Sequence, residues 1–142
     1  MPMTRDPVDV VREAVAAINA RTLRERALEL IEPGFVRHDL VEVFPDSHGP
    51  EGAGDFVSMI VAAMPDFHLR IDAIFGQGDR VAVLMTMTGT HTGEALLGRP
   101  PTGNALSAHA VFIYRVANGR LAEAWQMVDG LAFHRLAGLH HD

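Results

Sequence analysis

The order of apolar and polar positions divides the chain into a helical first part and a strand-rich second part. Val8, Val11, Val15 and Ile18 recur at helical spacing and predict a first helix with one apolar stripe. Thr4 or Asp6 can cap it, and Pro7 is tolerated in its first turn. Thr22 to Glu25 has the form of a capping box at the head of a second helix. Leu23, Ala27, Leu30 and Ile31 give that helix its buried side, and Glu32-Pro33-Gly34 stops it. Phe35 to Asp39 (FVRHD) reads as extended. A third helix runs from about Pro50 to Met64, with Phe56, Met59, Ile60 and Ala63 inward, and ends before Pro65.

From Phe67 the period changes to two. Phe67, Leu69, Ile71, Ala73 and Phe75 alternate with His68, Arg70, Asp72 and Ile74, which describes a half-buried strand. Gly76 to Asp79 turns the chain, and Arg80 to Thr88 forms a second strand. The loop from His91 to Asn104 carries three glycines and Pro100-Pro101, so it is expected to be pinned. Strands over Leu106 to Val116 and Arg120 to Val128 follow, then a short helix from Leu131 to Leu139. Helices followed by a meander predict an α+β fold, a curved antiparallel β-sheet wrapped around N-terminal helices. Such a sheet leaves a pocket on its concave face. One domain is expected to span residues 1–142.

The hairpin joined at Asn118-Gly119 admits two registers. A two-residue turn pairs Ala117 with Arg120, sets Val111 opposite Gln126 and puts His109 on the face of Gln126. A three-residue loop Ala117-Asn118-Gly119 sets Ala110 opposite Gln126, with Phe112 and Tyr114 on the same face. The second register collects Ala108, Ala110, Phe112, Tyr114, Ala122, Ala124, Gln126 and Val128 into a ligand-facing wall, and it is the one favoured here. Its opposite face holds His109, Val111, Ile113, Leu121, Trp125 and Met127. That face is too apolar for water, so another element or a second subunit is expected to cover it.

Composition narrows the function. A net charge of −6 without a Lys/Arg cluster argues against a nucleic-acid partner. No run of about 18 apolar residues is present to cross a membrane, and MPMTRDPVDV lacks the form of a signal peptide. The absence of cysteine removes disulfide and thiolate chemistry and fits a cytoplasmic protein. Eight histidines are the main titratable groups near neutral pH, yet no HxH or HExxH spacing occurs and His140-His141 ends a tail, so no metal site is expected.

The run GTHTGEALLGRPPTG, then FIYRVANGRLAEAWQMVD, together with RHD at Arg37 to Asp39, GPEG at Gly49 to Gly52 and PDFH at Pro65 to His68, resembles the SnoaL-like polyketide cyclases of the nuclear transport factor two-like superfamily. The resemblance covers nearly the whole chain. It implies a cone-shaped scaffold and a cofactor-free enzyme of secondary metabolism, as in antibiotic biosynthesis. In that family a pocket carboxylate removes a proton from an activated carbon, and the enolate closes a ring by aldol addition on a polyketide-like substrate. Burial can raise such a carboxylate toward neutral pKa. The position matching the family's catalytic aspartate is Gln126, and a position matching a pocket histidine is Phe112. An amide can hold or polarise a carbonyl but cannot act as a base.

The candidate catalytic residues are therefore Gln126, to orient a substrate carbonyl, and His38, to move protons. His109 joins them only under the two-residue turn, and Asp129 only if it is more than the cap of the terminal helix. Phe56, Met59, Met85, His91, Ala110, Phe112, Tyr114 and Trp125 are the candidate pocket residues. The expected partners are a small hydrophobic polycyclic or polyketide-like ligand and a second copy of the chain. The same pocket could instead run hydration, epoxide opening or hydroxylation, or bind a ligand without catalysis.

Overall fold

A computed structural model describes residues 5–139; Thr4, His140 and His141 lie outside them. Helix α1 covers Pro7–Asn19, with the Asp6 side chain accepting the Val8 N–H at 2.9 Å as its N-cap. Helix α2 is Leu23–Leu30, but the expected capping box does not form. Arg21 turns the chain at φ 64, and Thr22 sits at φ −114, ψ 6, outside the extended conformation a capping side chain needs. Its hydroxyl instead donates to the Ala17 carbonyl at 3.4 Å.

Strand β1 (Ile31–Asp39) begins directly at the end of α2, so the extended segment is longer than FVRHD alone. The short β2 (Ser47–His48) leads into α3 (Gly49–Ala63). Then come β3 (His68–Gln77), β4 (Arg80–Thr90), β5 (Ala105–Ala117), β6 (Arg120–Val128) and α4 (Gly130–Leu136). The α+β expectation holds: six strands form one curved, unclosed sheet in the order β2-β1-β6-β5-β4-β3. Every neighbouring pair is antiparallel except β1 and β6, which run parallel. The return of β1 to the far side of β6 closes the sheet toward a cup. Val10, Val11 and Leu30, all fully buried, fill it from the helical side.

Extra residues in three strands set the curvature and decide which side chains enter the cup. In β3, Ile71 pairs with Met85 and Ala73 with Leu84, leaving Asp72 as the added residue. A bulge of this kind reverses the facing of everything after it. Phe75, expected inward, is accordingly 68% exposed. In β1 the pairing jumps from Ile31 to Val36 while β6 advances only from Leu121 to Glu123.

The third bulge settles the hairpin. Asn118 and Gly119 both take positive φ (55 and 71), and Ala117 pairs with Arg120, so the turn is the two-residue one that Asn-Gly favours. The favoured three-residue loop is thus incorrect. Yet Val116 pairs with Leu121 and Arg115 with Glu123, so Ala122 is an extra residue in β6. Beyond it Phe112, not Val111 or Ala110, lies opposite Gln126. The bulge restores the facing that the wrong turn had predicted. Phe112, Tyr114 and Gln126 point into the cup, while His109 and Val111 point out. Leu121, before the bulge, is buried inside and not on the outer face.

The loop after β4 is tied to the end of α3. Gly93 and Glu94 donate their N–H groups to the Ala63 and Ala62 carbonyls at 3.0 and 2.8 Å, which satisfies helix C-terminal acceptors. A side chain at position 93 would meet the Ala62 oxygen at 1.9 Å, so only glycine permits the approach.

Candidate functional site

The cup holds one apolar chamber lined from α1, α2, α3, α4 and all the strands except β2. It encloses about 100 Å³ of cavity within about 840 Å³ of atom-free space that extends into open solvent. A drug-sized ligand typically needs roughly 300–1,000 Å³, so it would reach into the open part. Three polar side chains face this interior: Arg37, Tyr114 and Gln126.

Arg37 enters because β1 alternates: Phe35, Arg37 and Asp39 are buried on the inner face, and Val36 and His38 lie outside. Its Nη2 donates to the Pro45 carbonyl at 2.8 Å and to Ser47 Oγ at 2.9 Å, and Nε reaches the same hydroxyl at 3.3 Å. The guanidinium carbon sits 3.8 Å from the centre of the Phe56 ring, a cation–π contact. Nη1 is buried and has no partner among the described residues. Burial pulls the Arg37 pKa below its ordinary value, opposed by the charge of nearby Asp39. That carboxylate is engaged elsewhere, accepting the N–H groups of Val41 at 3.1 Å and Phe44 at 2.7 Å.

Gln126 is fully buried, and both its amide nitrogen and its amide oxygen lack a partner among the described residues. A buried amide of this kind calls for a hydrogen-bonding partner, since leaving one unpaired costs roughly 1–3 kcal/mol. Tyr114 stacks on Phe112 (5.6 Å between centroids), and burial pushes its phenol above the usual range, which keeps it neutral. Phe44 packs edge-on against both Phe56 (5.3 Å) and Phe133 (5.1 Å), forming an aromatic wall behind Arg37.

Of the candidate residues, Phe56, Met85, Phe112, Tyr114 and Gln126 line the chamber. Several other candidates do not. His38 lies on the outer face, where Nε2 is 2.7 Å from Glu123 and its ring stacks on Trp125. Its partner Glu123 is held below the usual carboxylate range, first by the His38 hydrogen bond. Trp125 also lies outside, under Arg80 at 5.0 Å. His38 is carried outward by the alternation of β1, and Trp125 lies on the outer face that the favoured register gave it, so neither is a residue of the chamber. His109 sits outside, with Nδ1 3.4 Å from the Thr86 hydroxyl, since the Ala122 bulge cancels the facing its turn implied. Asp129 caps α4 through the Ala132 N–H at 3.1 Å. His91 is wholly buried in the loop after β4 and anchors it through the Glu94 carbonyl at 2.8 Å, away from the chamber. Met59 is 39% exposed on α3, one position before the inward Ile60. Ala110 is buried on the inner face but packs beside the chamber without lining it.

Arg37 was missed, although the signal was present. In FVRHD the period of two that buries Phe35 also carries Arg37 inward and His38 outward. Phe44 and Phe133 were missed because a loop and a short helix place them.

Among the described residues no helix is long and apolar enough to cross a membrane, and no three His, Asp or Glu side chains are grouped to hold a metal ion. A cupped sheet under helices, with an apolar chamber on its concave face that reaches open solvent, defines the nuclear transport factor two-like class of fold. The family model described as SnoaL-like polyketide cyclase matches residues 8–135, and the chain belongs to that family. It is 27% identical over 136 residues to aklanonic acid methyl ester cyclase DnrD from Streptomyces peucetius, covering 92% of this chain and 90% of that one. Among solved structures, IdmH from Streptomyces antibioticus, described as a candidate polyketide cyclase, superposes with a TM-score of 0.78 at 28% identity, covering 94% of this chain and 99% of that one. A SnoaL-like protein from Jannaschia sp. CCS1 gives a TM-score of 0.82 at 21% identity, covering 99% and 100%.

Proposed function

We propose that this protein is a ring-closing enzyme for a polyketide-derived substrate, with Gln126 and Arg37 acting on a substrate oxygen. The observation that carries this reading is that two side chains with unpartnered N–H groups, Gln126 and Arg37, line the same apolar, aromatic-walled chamber. Donors fixed in that way stabilise negative charge developing on oxygen, because they need no reorganisation as the charge appears. The aromatic wall would hold the substrate folded with its reacting carbons close together, which supplies a large part of the barrier reduction in intramolecular reactions. Among the described residues no histidine or carboxylate lines the chamber, so proton removal by a side chain is not part of this proposal.

The test is turnover of aklanonic acid methyl ester, the compound named for the relative DnrD, followed by chromatography for the ring-closed isomer. Gln126→Leu is expected to lower kcat/KM about a hundredfold, in the range for loss of one oxyanion donor. The lack of a side-chain base among the described residues of the chamber favours one competing reading, ligand binding without catalysis. Tight binding of the ester with no isomer formed would establish that reading instead.

We further propose that two copies pair through the outer sheet face. Leu84, Val111 and Met127 lie side by side across β4, β5 and β6 and are 38%, 42% and 51% exposed. An apolar row of this kind on a sheet is normally covered. Light scattering is expected to give twice the chain mass, and Val111→Lys to give the single chain. A monomer at micromolar concentration in the parent protein would end this part of the reading.

A further inference from the structure

The chamber wall carries a buried cation, Arg37. Arg37 is 5% exposed, and no ion pair joins it to a carboxylate among the described residues. The nearest acids are committed: Asp39 binds the Val41 and Phe44 N–H groups, and Asp46 Oδ1 accepts the Asp39 N–H at 2.9 Å. On β5 the facing polar group is Tyr114, which burial keeps uncharged. Isolated buried charges are strongly unfavourable unless paired, and the one guanidinium nitrogen without a partner, Nη1, belongs to a side chain that lines the ligand space. Gln126 adds one free donor and one free acceptor from the neighbouring strand, on a residue whose backbone pairs with Asp39.

We propose that the chamber selects an organic monoanion, an ionised enol or phenol on a flat apolar body, and that Arg37 recognises its charged oxygen. Gln126 would then engage an adjacent hydroxyl or carbonyl, since its amide offers both a donor and an acceptor. The inference rests on the chamber being the substrate site and specifies what that substrate carries. It also accounts for a chamber in which no described side chain is a base. An enol acidic enough to ionise in water loses its proton before it enters, its carbon forms the bond to the carbonyl carbon, and the carbonyl π pair moves onto oxygen. The alkoxide so formed keeps the single negative charge beside Arg37 and takes a proton from water on release.

The experiment uses the whole protein with 6-cyano-2-naphthol, whose ionisation is read by absorbance, and its methyl ether as the neutral isostere. The expected result is that the bound naphthol ionises about one pH unit or more below its value in free solution, a tenfold preference for the anion. Arg37→Met should abolish that shift while the ether binds within twofold of parent, and Arg37→Lys should retain part of it. Binding of the ether together with a naphthol that ionises at its free-solution pH or higher overturns the charge inference and leaves the chamber reading standing. Failure of both compounds to bind overturns both. The parent protein alone decides between these outcomes, so the test does not depend on the variants folding.

Discussion

Gln126→Asp is expected to create a base-dependent cyclase, with turnover of a neutral keto substrate rising about a hundredfold, within the range general bases contribute. The side chain at 126 is fully buried on the inner face, so an aspartate there would project into the same apolar space. Desolvation would raise its pKa and Arg37 would lower it, leaving a carboxylate able to remove a proton from an activated carbon. Its signature is a pH–rate profile that climbs through one carboxyl titration, which the parent should lack. The same change gives the Arg37 guanidinium a carboxylate partner, so preference for an anionic ligand should disappear. Gain of turnover with loss of anion preference would tie both properties to one pair of residues. A variant that binds and turns over like the parent would show that position 126 does not touch the reacting atoms.

The second large effect concerns the wall that holds Arg37. Phe133 is 2% exposed and packs edge-on against Phe44, which packs against Phe56, the ring beneath the guanidinium. Phe133→Ala should cost about 3–5 kcal/mol by urea unfolding, the usual result of removing a buried phenyl ring. That is a large share of the roughly 5–15 kcal/mol available to a domain. Phe133→Leu keeps most of the volume and should cost under about 1.5 kcal/mol. Because the ring stack also fixes Phe56, anion selectivity should fall in the alanine variant more than affinity for a neutral ligand. An unchanged urea midpoint would mean that α4 does not close the chamber.

Much of the fold was legible because it follows from short-range rules. Helix α1 follows from the spacing of Val8, Val11, Val15 and Ile18, and the hairpin from two period-two runs around Asn118-Gly119. The site was legible only in part. Phe112, Tyr114 and Gln126 were placed on the correct face by an incorrect turn, because one added residue at Ala122 shifts facing just as one added loop residue would. The bulge at Asp72 had no such compensation, and Phe75 was misjudged. Local spacing cannot report a bulge, since the extra residue is defined by its partner strand.

His38 illustrates the same division at the level of chemistry. A histidine beside an arginine and an aspartate invites an acid–base reading, but the strand turns alternate side chains to opposite faces. His38 meets Glu123 and Trp125 outside, and Arg37 goes in. By itself the amino-acid sequence determined the elements, the α+β class and the family, since each is written in residue identity or in spacing along one segment. Only the tertiary structure decided that the polar content of the chamber, among the described residues, is an amide, a neutral phenol and a guanidinium with no ion-pair partner. That outcome depends on bulges and strand partners distant in the chain, and burial, which sets the charge of every group there, exists only once those segments have met.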